Sequence, residues 1–157
     1  MAITRDIFFV DTQVKALTNQ IALNLGDTSA GAFKLAVFND TVTPDASQVD
    51  PAYGTAPLNT GEVVGAGYTA GGLALTSVVY EEHPSQPGFM RWKCANISWS
   101  SSTIPNAKGG LIYAPGLSNR AVAFRSFIQQ YSSQDGTFAI NFHSDGVVKL
   151  GLLGPIL

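Results

Sequence analysis

Apolar and polar positions follow two periods along this chain, and the change comes near residue 30. In residues 7–25, Val10, Val14, Leu17 and Ile21 recur at spacings of three and four, while Lys15, Thr18 and Asn19 take other angular positions. That spacing predicts an amphipathic helix. Asp6 or Asp11 is placed to cap its start, and Gly26 stands where a helix commonly ends. The plain expectation is a short helix laid on the body of the protein through its apolar stripe. The sharper one is an arm, extended or helical, that docks on a neighbouring subunit.

From Ala32 onward the texture is that of short strands. Residues 33–38 form a β-rich run stopped by Asn39-Asp40. Residues 40–60 hold Pro44, Pro51 and Pro57 among Asp, Thr, Ala and Ser, which reads as a long loop. Loops of that length are usually functional or interaction loops. Residues 62–64 lead into the glycine-rich stretch 65–72, and residues 73–80 read as another strand. A polar loop follows at 81–88, then alternating runs at 89–94 and 97–99, a turn at 100–108, and strands at 109–113 and 121–127. Residues 136–142 and 146–152 read as a hairpin turned by Asp145-Gly146. About eight strands at intervals of roughly 10–15 residues imply an all-β fold. The expected architecture is an antiparallel β-sandwich or jelly-roll-like barrel with a short N-terminal helix or arm. Residues 1–30 form the arm in this division, and residues 31–157 the sandwich with an apolar tail at 152–157. That tail, LLGPIL, is unfavourable in water and calls for cover by the body or by a neighbour.

Composition narrows the function classes. The chain has 157 residues, of which 45% are hydrophobic and 13% charged. The charged share is about half the usual one. Disorder needs the opposite balance. A net charge of −2, with basic residues scattered from Arg5 to Lys149, disfavours a nucleic-acid face. A surface so poor in charge suits a protein shielded by partners. The single cysteine, Cys94, excludes an internal disulfide and any multi-cysteine metal site, and reads as a small buried hydrophobe. The first nine residues do not read as a signal peptide, and no apolar run is long enough for a membrane-spanning helix. Asn39-Asp40-Thr41 and Asn96-Ile97-Ser98 fit the glycosylation triplet but lack a secretory context.

Candidate chemistry is sparse. Residues 65–70 (GAGYTA) match a dinucleotide-binding pattern, yet the helix that would receive a pyrophosphate is missing, since Gly71-Gly72 and a strand-like run follow. A turn with several positive-φ glycines is expected there. Glu81, Glu82 and His83 form the densest acid–imidazole cluster, with His143 or Asp145 as further donors if it held a metal; a solvated loop is the plainer expectation. Paired catalytic carboxylates are not evident among three glutamates, and Asp135 and Asp145 have turn contexts. No G-x-S-x-G is present, and neither histidine has an evident partner as a base. Tyr53, Tyr68, Tyr80, Tyr113 and Tyr131 are candidates for stacking on sugars, whereas Trp92 and Trp99 read as plugs between sheets. These residues point to no enzyme, no cofactor and no metal.

Four segments occur in a telling order: the 33–38 strand, GAGYTAGGLAL at 65–75, ISWSSSTIPNAKGGLIY at 97–113, and GTFAINFHSDGVVKL at 136–150. Over residues 31–152 the chain resembles a family of small structural proteins of tailed bacteriophages. The resemblance implies a β-sandwich or jelly-roll-like module, commonly a trimer, that decorates or cements the outside of the capsid by binding the major capsid protein. It implies a virion location after synthesis in the host cytoplasm, and it brings no catalytic residues. Tail or fibre components, including receptor-binding modules, are the alternative within that class. A carbohydrate-binding sandwich is the alternative outside it. Residues 1–30 and the apolar C-terminal end depart from the family pattern.

Overall fold

A computed structural model describes residues 3–151; the expected apolar tail at 152–157 lies outside the described residues. The chain is all-β, with three antiparallel sheets and one short helix among the described residues. Its elements are β1 (Ile7–Phe8), α1 (Val10–Leu17), β2 (Lys34–Phe38), β3 (Leu73–Ala74), β4 (Val79–Glu82), β5 (Phe89–Lys93), β6 (Ile97–Ser102), β7 (Ala107–Ala114), β8 (Arg120–Tyr131), β9 (Gly136–Ile140) and β10 (Val148–Gly151). The large sheet has the order β1-β8-β7-β2-β3, and the smaller ones are β10-β5-β4 and β6-β9.

The large sheet is buried on both faces, and side-chain parity shows how. In β2, Leu35 and Val37 enter one apolar cluster while Ala36 and Phe38 enter a second. In β7, Ile112 and Ala114 join the first, Leu111 and Tyr113 the second. All eight residues of β7 are consequently buried. A strand covered on both sides reads as a continuous apolar run, as GGLIYA does. The register of β7 and β8 shifts between Ile112 and Tyr113, which face Ala123 and Ala121. Val122 is thus an inserted residue. It joins Ala123 in the first cluster, while Ala121 and Phe124 lie in the second.

The two small sheets cover the first face. Trp92 of β5 is 1% exposed and meets Phe33 edge-on at 5.1 Å between ring centroids. Trp99 of β6 is buried against Tyr68 and Phe138. Both tryptophans plug the core, as their alternating contexts predict. The second face is covered without a sheet. Ile3, Ile7 and Phe9 from the N-terminal segment pack there with Val42 and Leu58 from the 40–60 loop. That loop, expected to serve interaction, is in large part a structural lid; a sheet with two apolar faces needs cover on each.

Several local expectations need correction. The helix is shorter than the 7–25 pattern, because Thr18 closes it and Asn19 follows at φ 59. A left-handed asparagine is a common helix stop, so Gly26 is not the terminator. The N-cap is Phe9, with no capping side chain. Asp6 instead accepts the Ser126 N–H of β8 and pairs with Arg125. Residues 73–80 split into β3 and β4 of different sheets, with Ser77 at φ 53 between them. The 97–99 run extends to Ser102, into the expected turn. The hairpin expected from 136–152 is absent: β9 pairs with β6, and β10 with β5. Asp145-Gly146 does make a tight turn, closed by Gly146 N–H to His143 O at 2.8 Å. Its arms go to different sheets because each strand's apolar residues have separate partners.

Candidate functional site

The helix inverts its expected orientation. Val10, Val14 and Leu17 are 53%, 51% and 88% exposed, while Thr12 is fully buried. The Thr12 hydroxyl donates to the Ala121 carbonyl at 2.7 Å, beside the Val122 bulge. Phe9 N–H donates to the Val122 carbonyl at 3.2 Å, and Ala121 N–H to the Pro51 carbonyl at 2.8 Å. Charges complete the attachment. Asp11 pairs with Lys15 at 3.1 Å and with Arg120 at 3.2 Å, and Asp50 from the lid loop meets the same two cations at 2.5 and 2.7 Å. The hydrogen bonds from Lys15 and Arg120 hold the Asp50 carboxyl below its ordinary value. The polar and charged side of the helix therefore faces the body, and its apolar stripe faces out.

Beside that stripe, a groove of about 540 Å³ runs between α1, residues 23–25 and the β10-β5-β4 sheet. Phe8, Ala16, Leu17, Leu25, Tyr80 and Met90 line it, among others. The Trp92 indole N–H donates to the Leu25 carbonyl at 2.8 Å and fixes the 23–25 segment as one wall. The helix stripe and this groove thus put apolar surface side by side; Val49, Val64 and Ile128 are exposed apolar residues elsewhere.

The acid–imidazole cluster divides. Glu81 pairs with Lys93 at 3.0 Å and with Arg91 at 2.5 Å, hydrogen bonds that lower its pKa. Glu82 is exposed. His83 is buried, and its Nε2 lies 3.1 Å from Asp145 Oδ1. Lys149 meets the other Asp145 oxygen at 2.7 Å, and exposed His143 stands 3.8 Å from it. Sequence reasoning named His83, His143 and Asp145 together, and the structure brings them together. Ser85 Oγ lies 3.5 Å from His83 Nδ1, so serine, histidine and aspartate stand in sequence. The Ser85 backbone N–H, however, already donates to Nδ1 at 3.3 Å. With that lone pair engaged, Nε2 carries the proton towards Asp145. The arrangement latches the 83–88 loop to the 143–146 turn. Lys149 first, then His83, draws the Asp145 pKa down to about 2. Among the described residues, no group of three His, Cys, Asp or Glu has the geometry of a metal site.

The glycine stretch is a turn region with Gly67, Gly71 and Gly72 at positive φ. No helix follows it, so no phosphate cradle forms. Cys94 is half-buried, and burial pushes its thiol up to about 12. Asn39 accepts locally from the amide and hydroxyl of Thr41, and Asn96 accepts from the distant Phe142 amide.

Glu62 is a node that sequence reasoning missed. Its carboxylate accepts from the Tyr53 and Tyr68 hydroxyls, both at 2.7 Å, and from Gly71 N–H at 2.6 Å. The Tyr68 hydroxyl in turn accepts from Val37 N–H at 2.9 Å, where β2 has run past β3. Tyr53 stacks on Tyr113 at 4.6 Å, and the Tyr113 hydroxyl donates to Gly71 O at 2.8 Å. Three of the tyrosines considered for sugar stacking are thereby internal struts. The signal was present: Glu62 is the lone charged residue between Asp50 and Glu81. Tyr131, by contrast, is 47% exposed, on a cleft of about 480 Å³ between β8 and β9.

Comparison with protein-family models, with curated proteins and with solved structures finds no match for this chain.

Proposed function

We propose that this chain is a non-enzymatic structural protein of a tailed-phage virion, a capsid decoration or cement protein that binds the outside of the assembled head through its helix face. The observation that carries the reading is the outward stripe of Val10 and Val14 on a helix locked to the body by Thr12, Asp11 and Lys15. The ordered resemblance of residues 31–152 to small phage structural proteins supplies the class. A rigid body with a presented apolar face suits repeated contact with an identical lattice. Whatever binds the assembled shell, and not its separated subunits, shifts the balance toward the shell. Multiple weak contacts on such a lattice add as avidity.

The test is binding to purified heads that lack the protein. Co-sedimentation should saturate at a copy number set by the lattice and fall at least tenfold in Val14→Lys. Decorated particles should retain their genome to a higher temperature than bare ones. Equal retention with and without the protein removes the cementing role. A few copies located at the tail select the tail or fibre reading. The exposed Tyr131 beside the β8–β9 cleft favours a carbohydrate-binding reading, and glycan binding lost in Tyr131→Ala would establish it.

A further inference from the structure

We infer that the open edge of β9 is a pairing site for β9 of a second copy of this chain, the two strands running antiparallel about a two-fold axis at Ala139. β9 has β6 on one side and the cleft of about 480 Å³ on the other. Five consecutive residues, Thr137 to Asn141, line that cleft, as a backbone edge does and a single side-chain face does not. Peptide groups alternate in direction along a strand. The Gly136 carbonyl accepts from Ser102 Oγ at 3.3 Å, and Phe142 N–H donates to Asn96 Oδ1 at 3.0 Å, both toward β6. Phe138 and Ile140 share that parity and stand opposite Trp99 and Ile97. The peptide N–H and C=O groups of Thr137, Ala139 and Asn141 therefore point into the cleft, where they have no partner among the described residues.

Two features hold this edge open. Consecutive strands joined by a short connection usually lie side by side, yet β8 turns away from β9. Residues 127–130 of β8 stand opposite Lys108 alone, between the pairs Ala107–Tyr131 and Gly109–Ser126. This wide bulge holds Ile128 at φ 66, a conformation that β-branched residues rarely adopt and that persists only where the surroundings enforce it. Lys108, 4% exposed, enforces it by donating its ammonium to the Ile128 carbonyl. The other sheet edges are also guarded, and β9 is not. β1 and β3 are two residues long, β4 carries Glu81 and Glu82, and β10 carries Lys149. Beside β6 stands the glycine turn, whose Ala66 carbonyl accepts Thr103 N–H at 2.8 Å. Residues 136–141 (GTFAIN) hold no charge and no proline. An uncharged, uncovered edge is a template for another strand.

The edge is complementary to itself. Centred on Ala139, the antiparallel register sets Ala139 against Ala139, Thr137 against Asn141 and Phe138 against Ile140 of the second copy. Polar residues then meet on the exposed face and apolar ones on the inner face. The outward peptide groups of 137, 139 and 141 all fall in hydrogen-bonded pairs. No like charges meet across the axis. Past the paired segment, the register brings exposed Asp135 of each copy toward exposed His143 of the other. Two two-stranded ribbons, each marginal alone, become one four-stranded sheet. Ile128 and Tyr131, 88% and 47% exposed across the cleft, gain cover. The helix stripe takes no part, so the pairing is independent of the head-binding reading.

Sedimentation equilibrium of the full chain should show a reversible monomer–dimer equilibrium. Ala139→Lys, which sets two ammonium groups on the axis, should weaken it at least tenfold while the dilute chain melts as the parent does. A chain that stays monomeric to millimolar concentration overturns the proposal. So does a dimer that survives Ala139→Lys but is lost in Val14→Lys, which places the contact on the helix stripe. The register is tested in a Cys94→Ala background with a short bifunctional thiol reagent. Ala139→Cys, with its Cα atoms about 5.5 Å apart across a hydrogen-bonded pair, should cross-link into dimers, and Thr137→Cys, four residues out of register with its own copy, should not. Equal cross-linking of the two, or none in either, overturns the assigned register and with it the proposal. None of these readouts involves a capsid, so their failure is distinct from failure to bind heads.

Discussion

The Thr12 hydroxyl donates to the Ala121 carbonyl at 2.7 Å, across 109 residues of sequence. This bond joins the helix to the bulged strand and sets which side of α1 meets the body. Thr12→Val keeps the shape and removes the donor, leaving a buried carbonyl unsatisfied. The expected cost is about 1–3 kcal/mol. Val14→Lys, on the outward side, should stay within about 0.5 kcal/mol of the parent. Chemical denaturation of both variants checks the pair. A large loss in Val14→Lys with none in Thr12→Val would place the buried side of the helix on the stripe.

Glu62 accepts from two tyrosine hydroxyls and a backbone N–H, a load that a glutamine with one oxygen cannot carry. Glu62→Gln should destabilise by about 1–3 kcal/mol. Burial is the larger cause of the raised Tyr53 and Tyr68 pKa values, and Glu62 adds to both. Ultraviolet difference titration of the variant should therefore show tyrosine ionisation moving partway down in pH. An unmoved titration contradicts the node.

Gly72 and Gly54 both have positive φ, at +69 and +86, but different surroundings. A Cβ on Gly72 would lie 1.7 Å from the Leu35 carbonyl oxygen, whereas one on Gly54 meets nothing within 4 Å. Gly54→Ala should cost about 1–2 kcal/mol, the conformational term alone. Gly72→Ala should cost more than about 4 kcal/mol or prevent folding. Similar melting temperatures for the two would show that β3 does not close on β2 as described.

Asp145 is faced by His83, His143 and Lys149, and its pKa falls from 3.8 to about 2. A depressed carboxyl pKa means that the stabilisation is present above the unfolded value and is lost as pH falls through the folded one. The latch should weaken between about pH 4 and pH 2. Asp145→Asn should therefore melt lower than the parent at pH 6, with the difference shrinking toward pH 2. A difference that grows on acidification reverses the sign and removes the ion pairing as its cause.

The local patterns were enough for the all-β class, for the strands around residues 33–38, 89–93 and 109–113, for both tryptophan plugs, and for the glycine turn. Each depends on alternation or on backbone freedom, and both are written in neighbouring residues. His83 and Asp145 were also nameable by type, although their 3.1 Å approach was not. Strand partners lay beyond reach. Residues 136–152 have the alternation and the turn of a hairpin, but pairing depends on which distant edge offers a matching apolar face, and β5 and β6 offered better ones. The helix shows the division most clearly. Its spacing dictated a stripe of Val10, Val14 and Leu17. Which side of the stripe met the body was decided by the Ala121 carbonyl, Arg120 and Asp50, groups distant in sequence that the tertiary fold brings to the helix. Hydrogen bonds and charges at fixed positions in space, not periodicity along the chain, turned the apolar residues outward.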